Sequence, residues 1–112
     1  MQADDGTGGS ILGPFMPLVG TGTVVRNVRE LAELPRIVND FLQAGGRLLD
    51  TAPTYGFGKA QAKLGAPLAS WPRATLWLTS KVPIKAMGHS ATLRHVNDTL
   101  DDLQTTYIDL ML

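Results

Sequence analysis

The spacing of apolar residues changes repeatedly along this chain, and each change marks a new element. "FMPLVGTGT" (15–23) is a short apolar run entering a glycine-rich turn, which predicts a strand. In "PRIVNDFLQAGG", Ile37, Val38, Phe41 and Leu42 recur at helical spacing. Pro35 suits a first helical turn and Gly45 a stop, so a helix is expected over 35–44, preceded by a turn at 29–34. "RLLD" (47–50) reads as a second short strand. "KAQAKLGAPLASW" is helix-like from Lys59, with Gly65 and Pro67 weakening or interrupting it. "TLWLTSKV" (75–82) has strand composition throughout. Ser90 is placed to cap a helix running to about Gln104, with Leu93, Val96, Leu100 and Leu103 as its apolar stripe. The chain finishes on "YIDLML", a fourth strand.

Strands alternating with helices through short connections imply a parallel sheet with right-handed crossovers. "LWLTSKV" is apolar on both faces, as expected where helices or a barrel interior cover both sides. The last strand has no helix after it, and a four-stranded open sheet would leave two bare edges. The expectation is therefore the front part of a larger α/β domain, the alternative being a complete small one.

Composition narrows the function classes. A chain of 112 residues is at most one small domain, and ten basic against ten acidic residues leave no electrostatic case for a nucleic-acid partner. The lack of cysteine excludes disulfides and thiolate metal sites. The amino-terminal "MQADDGTGGS" has neither the basic flank nor the apolar block of a secretory signal, and residues 1–14 are expected to be flexible. No apolar run approaches membrane-spanning length, so a soluble cytoplasmic protein without a membrane partner is expected. The glycosylation triplet Asn97-Asp98-Thr99 is discounted in this setting.

Two glycine motifs fail on spacing. After Gly20 and Gly22, Val25 stands where a dinucleotide-binding turn needs its third glycine. In "GFGKA", Ala60 replaces the Ser or Thr of a phosphate loop and Pro53 its first glycine. His89 and His95 have no partner at metal-ligand spacing and read as surface histidines.

What remains is a set of polar residues at strand ends: Thr23, Asp50, Tyr55 just beyond the second strand, and Lys81 closing the third. In a parallel α/β fold these positions share the carboxyl edge of the sheet, where such folds carry their sites. Singly, Asp50 could be a turn cap, Tyr55 a packing residue and Lys81 a solvated strand end. Together they permit specific chemistry. A free phenol titrates at about 10, and an ammonium within about 4–6 Å favours its ionised form. A carboxylate would keep the ammonium charged and aim it at the phenol. Such a group can protonate a carbonyl oxygen as negative charge develops on it, while the hydride must come from a cofactor.

With those residues in view, the chain resembles the aldo-keto reductase family. The matching blocks are "MPLVGTGT", "FLQAGGRLLDTAPTYG", "LWLTSKV" and "TLDDLQTTYIDLML", collinear from Met16 onward. The resemblance implies the first four strands and three helices of a (β/α)8 barrel, parallel throughout, from an NADPH-dependent oxidoreductase that reduces aldehydes or ketones to alcohols. NADH is not excluded. It implies catalytic roles for Asp50, Tyr55 and Lys81, cofactor contacts from Gly22, Thr23, Val24 and Asp50, and a substrate pocket beginning at Thr54. The family's catalytic histidine would follow just after "YIDLML". Phe57 and Gly58 stand where the family often has Asn and Glu. The expected partner is a small-molecule carbonyl compound, and the 112 residues alone are expected to be inactive. The alternatives are a non-catalytic cofactor-binding or regulatory barrel subunit and a small stand-alone α/β interaction domain.

Overall fold

Four short strands lie side by side, all parallel, in the computed structural model, which describes residues 16–112. They are β1 (Gly20–Gly22), β2 (Leu48–Asp50), β3 (Trp77–Ser80) and β4 (Leu110–Met111), in the spatial order of the chain. Gly22 pairs with Asp50, Asp50 with Thr79, and Ser80 with Met111, so the carboxyl ends of the strands are level. Three long helices connect them: α1 (Val28–Gln43), α3 (Ala60–Ala69) and α4 (His89–Leu103). A single turn, α2 (Tyr55–Gly58), precedes α3. This is the α/β alternation that the apolar pattern predicts. The expectation for residues 1–14 lies outside the described residues, as does Phe15 at the start of the first apolar run.

The strands are shorter than the runs that predict them. β1 covers only Gly20–Gly22, and Thr75 belongs to a 3₁₀ turn at Arg73–Thr75 rather than to β3. Lys81 stands just past the end of β3.

Pro35 is not the start of α1 but lies inside it. The helix begins at Val28 because Asn27 caps it: its side-chain oxygen accepts the Glu30 N–H at 2.9 Å. The Glu30 carboxylate reaches back to the Arg26 N–H at 2.7 Å and its guanidinium at 2.9 Å. An interior proline costs about 3 kcal/mol, but each leucine side chain fully buried returns roughly 1.5–3 kcal/mol. Leu31 and Leu34, both buried, lie in the part of α1 ahead of Pro35, where the sequence predicts a turn. The cap and the stripe together outweigh the proline.

Leu34, Val38 and Leu42 of α1 meet Leu64 and Leu68 of α3, Leu103 of α4, and Leu49 and Leu78 of the sheet in one core. α3 is central, packed on α1 at one side and on α4 at the other. Gly65 and Pro67 do not interrupt it. Gly65 allows close approach to α4: a Cβ there would lie 2.5 Å from the Asp102 carbonyl oxygen. α4 starts after Gly88, and Ser90 lies within its first turn with no cap hydrogen bond made by a side chain. Of its expected stripe only Leu103 is buried; Leu93 is exposed, and Thr99 takes a buried place on that face.

Because side chains alternate along a strand, Leu49 and Leu78 face the helices while Leu48, Asp50, Trp77 and Thr79 face the other way. The candidate site is built at the carboxyl end of that second face.

Candidate active site

Asp50 ends β2 and pairs with Thr79 of β3, two residues before Lys81, so the parallel register brings Asp50 and Lys81 to the same end of the sheet. Lys81 Nζ donates to Asp50 Oδ1 at 2.7 Å and to the Thr51 carbonyl at 3.1 Å. The same ammonium lies 5.0 Å from the centre of the Tyr55 ring, over its face, within cation–π range. Tyr55 opens the α2 turn with its N–H on the Ala52 carbonyl at 3.1 Å, and its ring packs against the edge of the core. One carboxylate at the end of β2, one ammonium just past β3 and one phenol from the turn after β2 thus converge. Partial burial opposes the charge on Lys81, but hydrogen bonding and attraction to Asp50, then to Tyr55, outweigh it. Its pKa is held above the ordinary 10.5.

The turn after Tyr55 is left-handed at Gly56, Phe57 and Gly58, with φ of 59°, 59° and 80°. Gly56 is buried, and a Cβ there would lie 2.9 Å from Leu31 Cδ1, so glycine is required on two counts. Phe57 holds its left-handed conformation at a cost of roughly 1–2 kcal/mol while its ring is exposed.

The residues at the end of β1 divide. Gly22 is exposed, and a Cβ built on it meets nothing within 4 Å. Val24 is also exposed. Thr23 is fully buried, and both its N–H and its hydroxyl go to the Asp50 carbonyl, each at 3.1 Å. Thr23 therefore anchors the backbone of Asp50 and presents no hydroxyl to the surface. Thr54 is exposed and lines a cleft of about 460 Å³ with Val82, Pro83, Ile84 and Lys85, directly after Lys81. A larger cavity, about 640 Å³, is lined by 16–19 and 44–47, ahead of β1 and β2, and so lies at the opposite end of the strands from Asp50 and Lys81.

Two contributors escape the sequence pattern. The Thr51 carbonyl holds Lys81, and backbone carbonyls leave no mark in composition. Gln61 is buried among apolar residues of α3 and binds Ser80, the residue before Lys81. A polar residue at helical spacing with Leu64, Gly65 and Leu68 is the signal that could have found it.

Comparison with known proteins identifies the family and the fold. The model of the Aldo/keto reductase family matches residues 19–112. An aldo-keto reductase of Mycobacterium leprae is 36% identical over 99 residues, covering 87% of this chain and 33% of that protein. Deoxymugineic acid synthase 1 of Oryza sativa subsp. japonica is 35% identical over 117 residues, covering 99% of this chain and 36% of its own. The chain thus spans about a third of the length of the curated relatives it matches. Among solved structures, a thermostable aldo-keto reductase in complex with the inhibitor epalrestat superposes with a TM-score of 0.79 at 26% identity, over 91% of this chain and 39% of that one. An aldo-keto reductase from Klebsiella pneumoniae in complex with NADPH superposes with a TM-score of 0.74 at 27% identity, over 85% and 34% of the two chains.

Proposed function

This chain belongs to the aldo/keto reductase family, and from that premise we propose that it carries the proton-donating part of an NADPH-dependent reductase of aldehydes or ketones. The observation that carries the reading is the convergence of Lys81 on both Asp50 and the Tyr55 ring at the carboxyl edge of the sheet.

The site fits a nicotinamide cofactor at its open side. Gly22 leaves free space for a flat group, Val24 offers an exposed apolar side chain, and the Asp50 carboxylate is partly exposed beside its bond to Lys81. Those residues would hold the cofactor, with Thr23 fixing the loop from behind. The Klebsiella pneumoniae relative in complex with NADPH supports the choice of cofactor. When bound, the cofactor supplies hydride to the carbonyl carbon.

The chain's own residues handle the proton. Tyr55 gives its phenolic proton to the carbonyl oxygen as charge builds there. Lys81 stabilises the negative charge left on the phenolic oxygen, and Asp50 keeps Lys81 charged and aimed. Thr54 and the 82–85 segment border the cleft in which the carbonyl compound would lie. No helix among the described residues is long and apolar enough to cross a membrane.

The activity is proposed for the protein in the full length its gene encodes; the 112 residues alone are expected to turn over no substrate. The test is NADPH oxidation by that protein against a panel of aldehydes and ketones, beside Tyr55→Phe. Wild-type turnover is expected, with a loss of about 10²–10⁴-fold in the variant at unchanged NADPH affinity. Undiminished turnover in Tyr55→Phe would remove Tyr55 from the proton-donor role.

A further inference from the structure

The two groups that must meet, Tyr55 and Lys81, come from different segments, and a buried hydrogen bond joins those segments. Ser80 Oγ donates to Gln61 Oε1 at 2.6 Å, and Gln61 Nε2 donates to Thr99 Oγ1 at 3.2 Å. All three residues are buried, at 3% exposure or less. Ser80 immediately precedes Lys81. Gln61 lies in the first turn of α3, directly after the left-handed turn that begins with Tyr55.

We propose that Gln61 is a positioning residue, whose bond to Ser80 sets the separation between the Tyr55 turn and the strand end that carries Lys81. The inference rests on the reading of Tyr55 and Lys81 as the proton-donating pair.

Folding alone does not call for a glutamine here. Gln61 shares the apolar face of α3 with Leu64 and Leu68, both in the core. A buried amide must find partners to avoid a desolvation penalty, whereas apolar residues of similar shape in place of the amide and its partners together are often neutral or better for stability. What the amide adds is direction. Aliphatic contacts tolerate sliding, while a short hydrogen bond fixes both distance and angle. A misplacement of about 1 Å is enough to cost about 10²-fold in a catalytic step. Thr99 holds the other end of the amide, keeping Oε1 turned to Ser80. The network thus ties together α3, the end of β3 and α4 behind the site.

The test uses the protein at its full encoded length, with Gln61→Leu, Ser80→Ala and, as a packing control, Leu68→Ala. Because the Lys81 ammonium lies over the Tyr55 ring, the adjacent Lys81 Hε protons should carry an upfield ring-current shift, assigned by its loss in Tyr55→Leu. Gln61→Leu and Ser80→Ala are each expected to lose at least half of that shift. Their kcat should fall about tenfold or more with KM for NADPH unchanged. Leu68→Ala should lower the melting temperature more and keep the shift. Retention of both the shift and kcat in Gln61→Leu would overturn the proposal, whatever its melting temperature. If Gln61→Leu does not fold, Ser80→Ala decides; if neither folds, Gln61 serves the fold and the proposal is overturned. A wild-type protein that reduces no carbonyl compound would sink the functional reading instead, while the ring-current shift would still report on Gln61.

Discussion

Lys81 Nζ lies 2.7 Å from Asp50 Oδ1, a bond that links the ends of two adjacent strands, and the two side chains keep 31% and 41% of their surface in solvent. Ion pairs this exposed contribute roughly 0–1 kcal/mol to folding. Its value is therefore orientation rather than stability. Asp50→Asn is expected to change unfolding free energy by less than about 1 kcal/mol in urea titration. It should lower kcat by about 10²-fold, since the ammonium loses the partner that aims it at Tyr55. A large stability loss with kcat intact would show that the pair serves the fold.

The same pair fixes a sign for alkaline behaviour. Burial disfavours the Lys81 charge, but Asp50 and then Tyr55 more than offset it, so the folded pKa exceeds the ordinary 10.5. The fold binds this proton more tightly than the unfolded chain does. The stabilisation is complete below 10.5 and lost as pH rises through the folded value. The stability difference between wild type and Lys81→Met should stay flat from about pH 6 to about pH 9 and shrink only in the alkaline range above. A slope near neutrality in the difference would contradict the raised lysine.

At the other end of the sheet, Asp109 and Arg73 form a pair of the opposite kind. Their side chains are only 5% and 20% exposed, and Asp109 Oδ2 accepts from Arg73 Nη2 at 2.7 Å and from the Leu78 N–H at 2.8 Å. Arg73 also donates to the Tyr107 carbonyl, the Thr105 hydroxyl and the Leu76 carbonyl. Removing one partner of a buried pair leaves the other uncompensated, at a cost of about 3–5 kcal/mol. Asp109→Ala and Arg73→Ala should each lose an amount of that order, and the double variant much less than the sum. Amide exchange should accelerate first at Leu112, whose N–H bonds the Ser80 carbonyl across β3 and β4. A loss below about 1 kcal/mol in either single variant would mean that β4 is held by other contacts.

The alternation of elements and the positions of Asp50, Tyr55 and Lys81 are legible in the sequence because apolar spacing and strand ends are local properties. Pro35 misleads because local propensity loses to the Asn27 cap and to the burial of Leu31 and Leu34, which depend on α3 and the sheet. Ser90 misleads in the same way: the helix starts at His89 after Gly88, and no side chain caps it. The roles of Gln61 and Arg73 do not show in local sequence because their partners are remote. Gln61 meets residues 19 and 38 positions away, and Arg73 meets Asp109 36 positions on. Thr23 is legible as a position but not as an orientation: only the fold shows its hydroxyl turned to the Asp50 carbonyl.

Gly65 separates two effects of opposite sign. An interior helical glycine is less favourable than alanine by about 1 kcal/mol, so Gly65→Ala should stabilise α3 taken alone. In the fold, the new Cβ would lie 2.5 Å from the Asp102 carbonyl oxygen and 2.8 Å from Gln104 Nε2. The side-chain amide can move aside, but the carbonyl is backbone in the last turn of α4 and cannot move without shifting the helix. Overpacking of this kind costs about 1–3 kcal/mol, so after the gain of about 1 kcal/mol in helix propensity the expected net effect is a destabilisation of up to about 2 kcal/mol. Gly22→Ala provides the contrast, because its Cβ meets nothing within 4 Å and the stability change should be close to zero. Paired urea titrations of the two variants decide the matter. A stabilised Gly65→Ala protein would show that α3 and α4 can separate freely, and that the close approach at Gly65 does not constrain the fold.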